Sequence, residues 1–144
     1  MSAPDFYFAL NAIFRHIHDR YGMPALTTYW QELGRSYNPG RLQRWRDLGL
    51  DEVAADLRRY FAAEPGADVQ VEREGNTVRL DIRICPAIKH LREQQRDIVP
   101  YFCEHCDRVC GAMAGETGYR FERTGGMGAC KQTFVRLTVA GGNR

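Results

Sequence analysis

The first 84 of the 144 residues contain no cysteine, and only two of the twenty basic residues are lysines. The lysine shortage points to no function. Nowhere does the chain carry the roughly 20 consecutive apolar residues that a membrane-crossing helix needs. The opening "MSAPDFYFALNAIFRHIHDRYG" has no basic flank ahead of an unbroken apolar run, so no signal peptide is expected either. A cytoplasmic location follows as an expectation. Charge of one sign is also scarce: the net charge of +2 is too small to hold nucleic acid by electrostatics alone. "RLQRWRDLG" sets Arg41, Arg44 and Arg46 around Trp45, and a solvated helix face accounts for it. Neither a low-complexity tract nor a repeat longer than a hairpin echo is present.

What is present is the balance of a globular protein, 44% apolar and 26% charged. The length suits a single domain, 1–144, with a core that needs no staples. Residues 1–66 read as helical. Phe6, Leu10, Ile13, Phe14, Ile17 and Tyr21 recur at helical spacing over Pro4 to Arg20, with Gly22 as the stop. A second helix follows Pro24 and carries Leu26, Tyr29, Trp30, Leu33 and Tyr37 on its apolar side. "YNPG" predicts a turn, followed by a short stretch holding Leu42 and Trp45. Asp51 is the expected cap of a further helix with Val53, Leu57, Tyr60 and Phe61 inward, closed by "EPG".

Residues 67–144 change period. "TVRLDIRI" alternates strictly, with Val78, Leu80, Ile82 and Ile84 on one face, and "VQVE" before "EGN" supplies its hairpin partner. Pro86 opens a helix with Ile88 and Leu91, and another follows Pro100 to about Gly115. "YRFER", "TGGMG" and "CKQTFVRLTV" make a closing hairpin. The predicted fold is α+β, an antiparallel sheet of two hairpins packed against helices.

All five cysteines fall between positions 85 and 130. An odd number in a reducing compartment argues against a disulfide framework and leaves metal binding, catalysis or packing. Cys103, Cys106 and Cys110 share about sixty degrees of one helix flank, beside Phe102, Val109 and Met113. Glu104, His105 and Arg108 point elsewhere, which places His105 badly as a base for Cys103. One C-x-x-C pair in a helix is weak as a zinc signal, and free cysteine also serves as a small core residue. Cys85 ends a strand and precedes Pro86, so it should cap the next helix, where the dipole and free amides would depress its pKa. Cys130 follows a loop whose glycines let backbone amides approach an anion, although a plain turn has the same composition. His16 and His18 read as solvated, and His90 belongs to no motif.

"CPAIKHLREQ", "YFCEHCDRVCGAM" and "GYRFERTGGMGACKQTF" resemble the L-2-amino-thiazoline-4-carboxylic acid hydrolase family over Cys85 to Leu137. Cys85, Cys103 and Cys130 match its three recurrent cysteines. Cys106 stands where that family commonly has an acidic residue, and Cys110 is extra. A looser likeness is to vinyl-reductase-like small-molecule-binding domains, some of which bind zinc; Cys110, Glu122 and Cys130 can be read onto such a site. The first resemblance implies a hydrolase of a small cyclic amidine or thiazoline-like compound with Cys85, Cys103 and Cys130 as catalytic residues. The second implies a binding or sensor module in which Cys85, Cys103, Cys106, Cys110 and Cys130 hold zinc or an iron-sulfur cluster. The expected partner is a small-molecule substrate or ligand, with no nucleic acid and no membrane, in a monomer or small homo-oligomer.

Overall fold

The structure is a computed structural model and describes residues 5–138. Four helices come first: α1 (Asp5–Tyr21), α2 (Met23–Ser36), α3 (Pro39–Leu48) and α4 (Leu50–Ala62). Gly22, at φ +89°, separates α1 from α2. The "YNPG" segment does more than turn. The Asn38 side chain accepts the N–H of Arg41 and Pro39 fills the first helical position, so Leu42 and Trp45 lie on the ten-residue α3. The cap of α4 is Gly49 and not Asp51. Asp51 sits inside the first turn, where its carboxylate faces the positive helix end.

The buried stripe of α1 also differs from the expected one. Tyr7, Asn11 and Phe14 point inward, whereas Phe6, Ile13 and Tyr21 are exposed. Asn11 fixes that rotation. Its Nδ2 donates to the Asp97 carbonyl at 2.8 Å and its Oδ1 accepts the Val99 N–H at 3.0 Å, tying α1 to the loop that precedes α6. Tyr37 and Tyr60 are exposed as well, each at a helix end beyond the packed stripe.

Two hairpins form one antiparallel sheet in the order β1-β2-β4-β3, from β1 (Asp68–Glu74), β2 (Thr77–Ile84), β3 (Tyr119–Gly126) and β4 (Ala129–Arg136). Between the hairpins lie α5 (Pro86–Glu93) and α6 (Glu104–Thr117). Alternation places Val78, Leu80 and Ile82 of β2 on the covered face. Ile84, expected with them, is exposed, because it lies two residues past the last β2–β4 pair, Ile82 with Cys130. The closing strand β3 runs through Gly126, which reduces the predicted "TGGMG" turn to Met127 and Gly128.

One apolar core lies between that sheet face and the helices: Leu42 and Trp45 of α3, Leu50, Val53 and Leu57 of α4, and Met113 of α6 meet Leu80 and Phe134. Trp45 also donates its Nε1–H to buried Asp56 at 2.7 Å, which joins α3 to α4. A second core joins Tyr7 and Phe14 of α1, Leu26 and Trp30 of α2, Ile88 and Leu91 of α5, and Phe102. The seam between the two cores is α6. At Gly34 of α2 a Cβ atom would come within 2.3 Å of the Val109 carbonyl oxygen, so only glycine admits this crossing. The α+β class and the helical N-terminal half agree with the sequence pattern. No helix among the described residues is long and apolar enough to cross a membrane.

Candidate functional site: a cluster of five thiols

The covered sheet face becomes polar at one end. On β3 the inward residues run Tyr119, Phe121, Arg123 and Gly125; on β4 they run Phe134, Gln132 and Cys130, paired by register as Phe121 with Phe134, Arg123 with Gln132 and Gly125 with Cys130. Helix α6 covers this end with its N-terminal half. Cys103 is its N-cap, and Cys106 and Cys110 follow on the flank that the helical spacing indicates. Cys85 caps α5, as expected, and its N–H donates to the Gly128 carbonyl at 2.9 Å. Cys85 packs against both cores, Cys110 and Cys130 against the first, and Cys103 against the second.

The five sulfurs thus come together, all free and all partly buried. Cys106 is the centre of the group. Its negative charge, if formed, would oppose ionisation of each of the other four.

The expected depression of the Cys85 pKa is corrected by the structure. Burial raises it above the ordinary value, and the N–H groups of Ile88 and Ala87 at the helix start oppose that rise without overcoming it. Burial likewise pushes Cys106 and Cys130 up to about 11, and Cys110 further still. Cys103 is raised by burial too, but the Met127 N–H and the Arg123 guanidinium both favour its thiolate.

Cys103 has the most specific contacts. Its Sγ accepts the Met127 N–H at 3.1 Å and lies 3.8 Å from Met127 Sδ, to which the thiol can donate. The turn that carries Met127 is held from three sides. Arg123 donates to the Gly125 carbonyl, Arg92 donates to the Met127 carbonyl at 2.7 Å, and Cys85 holds Gly128. Arg123 is itself fixed by a two-pronged ion pair with Asp107, at 2.9 and 2.8 Å. The glycines are required here. A Cβ at Gly125, whose φ is +84°, would lie 2.9 Å from the Ala129 carbonyl oxygen and 3.1 Å from Cys130 Cα.

His105 does not point away from the thiols. Its ring packs against Phe14 and Phe102, with centroids 5.3 and 4.9 Å apart. Its Nδ1 bonds the Phe102 carbonyl, and a carbonyl only accepts, so Nδ1 carries the proton and Nε2 the lone pair. Nε2 lies 3.6 Å from Cys106 Sγ, in line to accept its S–H. Burial lowers the His105 pKa and keeps the ring neutral. Helical spacing misses this contact because it concerns adjacent residues whose side chains curl round the first turn. Gln132, Arg123 and Asp107 are further members that the sequence did not single out. Gln132 is buried, donates to Cys130 Sγ at 3.6 Å and also hydrogen-bonds Cys106.

Glu122 is not part of the cluster. It lies on the outer sheet face, held by Arg120 at 3.1 Å, while Cys110 and Cys130 pack inside; one residue of strand register separates the two faces. Among the described residues, no three His, Cys, Asp or Glu side chains are arranged to hold a metal ion. The solvated face expected around Trp45 is corrected at two positions: Trp45 is fully buried, and both it and Arg41 bond Asp56. His16 and His18 stay on the outer side of α1, where His18 stacks on Tyr101 at 4.4 Å.

Comparison with known proteins gave no match to a family model, to a curated protein or to a solved structure.

Proposed function

We propose that the protein is a hydrolase of a small cyclic amidine or thiazoline-like compound, with Cys103 as the nucleophile. The observation that carries this reading is the environment of the Cys103 sulfur. It sits at the N-terminal end of α6, accepts a backbone N–H from the glycine turn at 3.1 Å, and lies in the field of Arg123. Burial raises the Cys103 pKa, and the Met127 N–H and the Arg123 guanidinium oppose that rise; with its place at the helix start they make Cys103 the best-supported nucleophile of the five.

In the proposed reaction the Cys103 thiolate forms a bond to the amidine carbon. The π pair of the C=N bond moves to the ring nitrogen, which takes a proton. A nitrogen lone pair re-forms a C=N bond as the ring C–S bond breaks, the ring sulfur leaves with the pair of that C–S bond and takes up a proton, and the carbon stays attached to Cys103 as an isothiouronium. Water then adds to that carbon and expels the Cys103 thiolate, giving a ureido group and a free thiol. Cys85 and Cys130 act from behind the nucleophile, as parts of the thiol group whose neutrality favours a single charge on Cys103. The Met127 N–H holds that charge between steps. No step passes through a metal.

The test follows release of free thiol from 2-aminothiazoline-4-carboxylate by the wild type and by Cys85→Ser, Cys103→Ser and Cys130→Ser. Zinc and iron are measured in the same preparations. Turnover should fall by about three orders of magnitude in Cys103→Ser, with Cys85→Ser and Cys130→Ser impaired and all three variants folded. Full activity in Cys103→Ser would overturn the assignment. So would stoichiometric zinc or iron whose removal abolishes turnover, because the attacking group would then be metal-activated water.

A further inference from the structure

Cys106 has no role in that reaction, yet it has a partner that no other thiol of the cluster has. Its S–H faces the lone pair of a neutral, buried imidazole, His105 Nε2, at 3.6 Å. Three residues earlier, Cys103 caps the same helix at φ −71° and ψ −16°, and the turn closes with the Cys106 N–H on the Cys103 carbonyl at 3.2 Å. Residues three apart across such a turn have Cα atoms about 5 Å apart, by a rise of about 1.5 Å per residue on a 2.3 Å radius. That separation lies inside the range of disulfides. The cap position matters, because Cys103 stands before the first residue of α6, after the hydrogen-bonded turns of residues 99–102 and not inside the α-helix. Cys110, by contrast, lies a full turn deeper in the hydrogen-bonded helix.

Access completes the arrangement. Cys103 is partly exposed and touches Met127, itself exposed, so its sulfur lies near the surface, while Cys106 is flanked by His105 and Gln132.

We propose that Cys103 and Cys106 form a dithiol that exchanges with small disulfides of the glutathione type. Cys103 is the attacking sulfur, Cys106 the resolving sulfur, and His105 the acceptor of the Cys106 proton. The Cys103 thiolate attacks one sulfur of the small disulfide; that S–S bond breaks, and one thiolate leaves and takes the proton that Cys103 gave to water. The mixed disulfide is then resolved. The Cys106 proton passes to His105 Nε2 as its sulfur attacks Cys103 Sγ, and the second small thiolate leaves and takes up the proton. Two protein thiols are oxidised to one disulfide, and one small disulfide is reduced to two thiols. The inference does not depend on the hydrolytic reading, since the exchange uses no cyclic substrate.

The test incubates the wild type with glutathione disulfide, without hydrolytic substrate, and follows intact mass and mapped disulfides. The wild type should lose two hydrogens and yield a Cys103 to Cys106 bridge. Cys106→Ser should stop at the Cys103 mixed disulfide. Cys103→Ser should take up glutathione at least about tenfold more slowly. His105→Asn, whose amide N–H replaces Nδ1–H on the Phe102 carbonyl but offers no Nε2, should resolve the mixed disulfide about a hundredfold more slowly. A bridge mapped to any other pair, a wild type left unmodified, or uptake by Cys103→Ser at the wild-type rate would each overturn the proposal. The wild-type map needs no variant, so a misfolded substitution leaves the test intact. Loss of hydrolysis with intact exchange, or the reverse, separates the two readings.

Discussion

The two hairpins of the sheet are alike in pairing and opposite in what their turns do. β1 and β2 pair with one register shift, at the Asp68/Val69 end, and turn through Gly75 and Asn76, where a Cβ added to Gly75 would meet nothing within 4 Å. β3 and β4 pair without a register shift and turn through Met127 and Gly128, yet this turn bonds a thiol, two arginines and the cap of α5. The first glycine serves only the chain reversal. In the second hairpin the glycines let backbone approach backbone and bring an N–H to a sulfur. A glycine-rich turn is therefore a site element when something packs on it, and composition alone does not distinguish the two cases.

The sharpest test of that contrast substitutes alanine in each hairpin. Gly75→Ala meets only the strain of φ +58° and should cost about 1 kcal/mol. Gly125→Ala adds a collision with backbone atoms of Ala129 and Cys130, which cannot swing away, and should cost about 3 kcal/mol. Urea midpoints of the two variants at equal slope measure the difference. Equal losses would mean that the second turn is as free to move as the first.

Alkaline pH separates the thiol end of the sheet from the rest. Cys106 has its pKa raised from 9.0 to about 11 in the folded protein, chiefly by burial. The unfolded chain therefore loses the proton first, so this thiol's contribution is fully present below pH 9 and declines as pH rises to about 11. The slope is negative because the unfolded state binds fewer protons in that window. The decline should reach on the order of 2 kcal/mol, from about 1.4 kcal/mol for each tenfold change in acidity less the screening of a partly exposed site. Tyrosine and lysine titrate in the same range, so the quantity to compare is the stability slope of the wild type minus that of Cys106→Ser. Parallel slopes between pH 9 and 11 would show that burial does not hold this thiol neutral.

The strand β2 was legible residue for residue, because a buried face imposes period two and Thr77 to Ile84 obeys it until the pairing ends. The capping place of Cys85 was legible for a similar reason: Pro86 can only begin a helix there. The charge state of Cys85 was not, because a helix dipole is a local property whereas desolvation depends on two cores assembled from distant segments. The clustering of the five cysteines was legible, but spacing alone did not place Cys85 and Cys130 beside the helical three; that needed the Ile82 to Cys130 register, which brings β4 beside the β2–α5 junction. The Arg123 to Asp107 pair and the buried Gln132 left no local trace. A charged residue that alternates into the covered face of a strand, as Arg123 does, is the one signal that could have pointed to them.

That arginine carries a small stability effect and the most specific chemical one. Its guanidinium holds Asp107 in two hydrogen bonds, holds the Gly125 carbonyl in a third, and favours the Cys103 thiolate. Arg123→Met keeps much of the side-chain volume and removes all three. Asp107 is partly exposed and can rehydrate, so the loss of stability should be only about 1 kcal/mol. The effect on Cys103 should be larger in proportion. Without the cation its pKa rises further above the ordinary thiol value, and alkylation by iodoacetamide at pH 8 should slow several-fold, by about the same factor as the thiolate fraction falls. Gly75→Ala, at a similar cost in stability, should leave that rate unchanged. Unequal alkylation at equal stability would separate a turn that sets a thiol's charge from one that only reverses the chain; matched rates would make Arg123 a structural tie and nothing more.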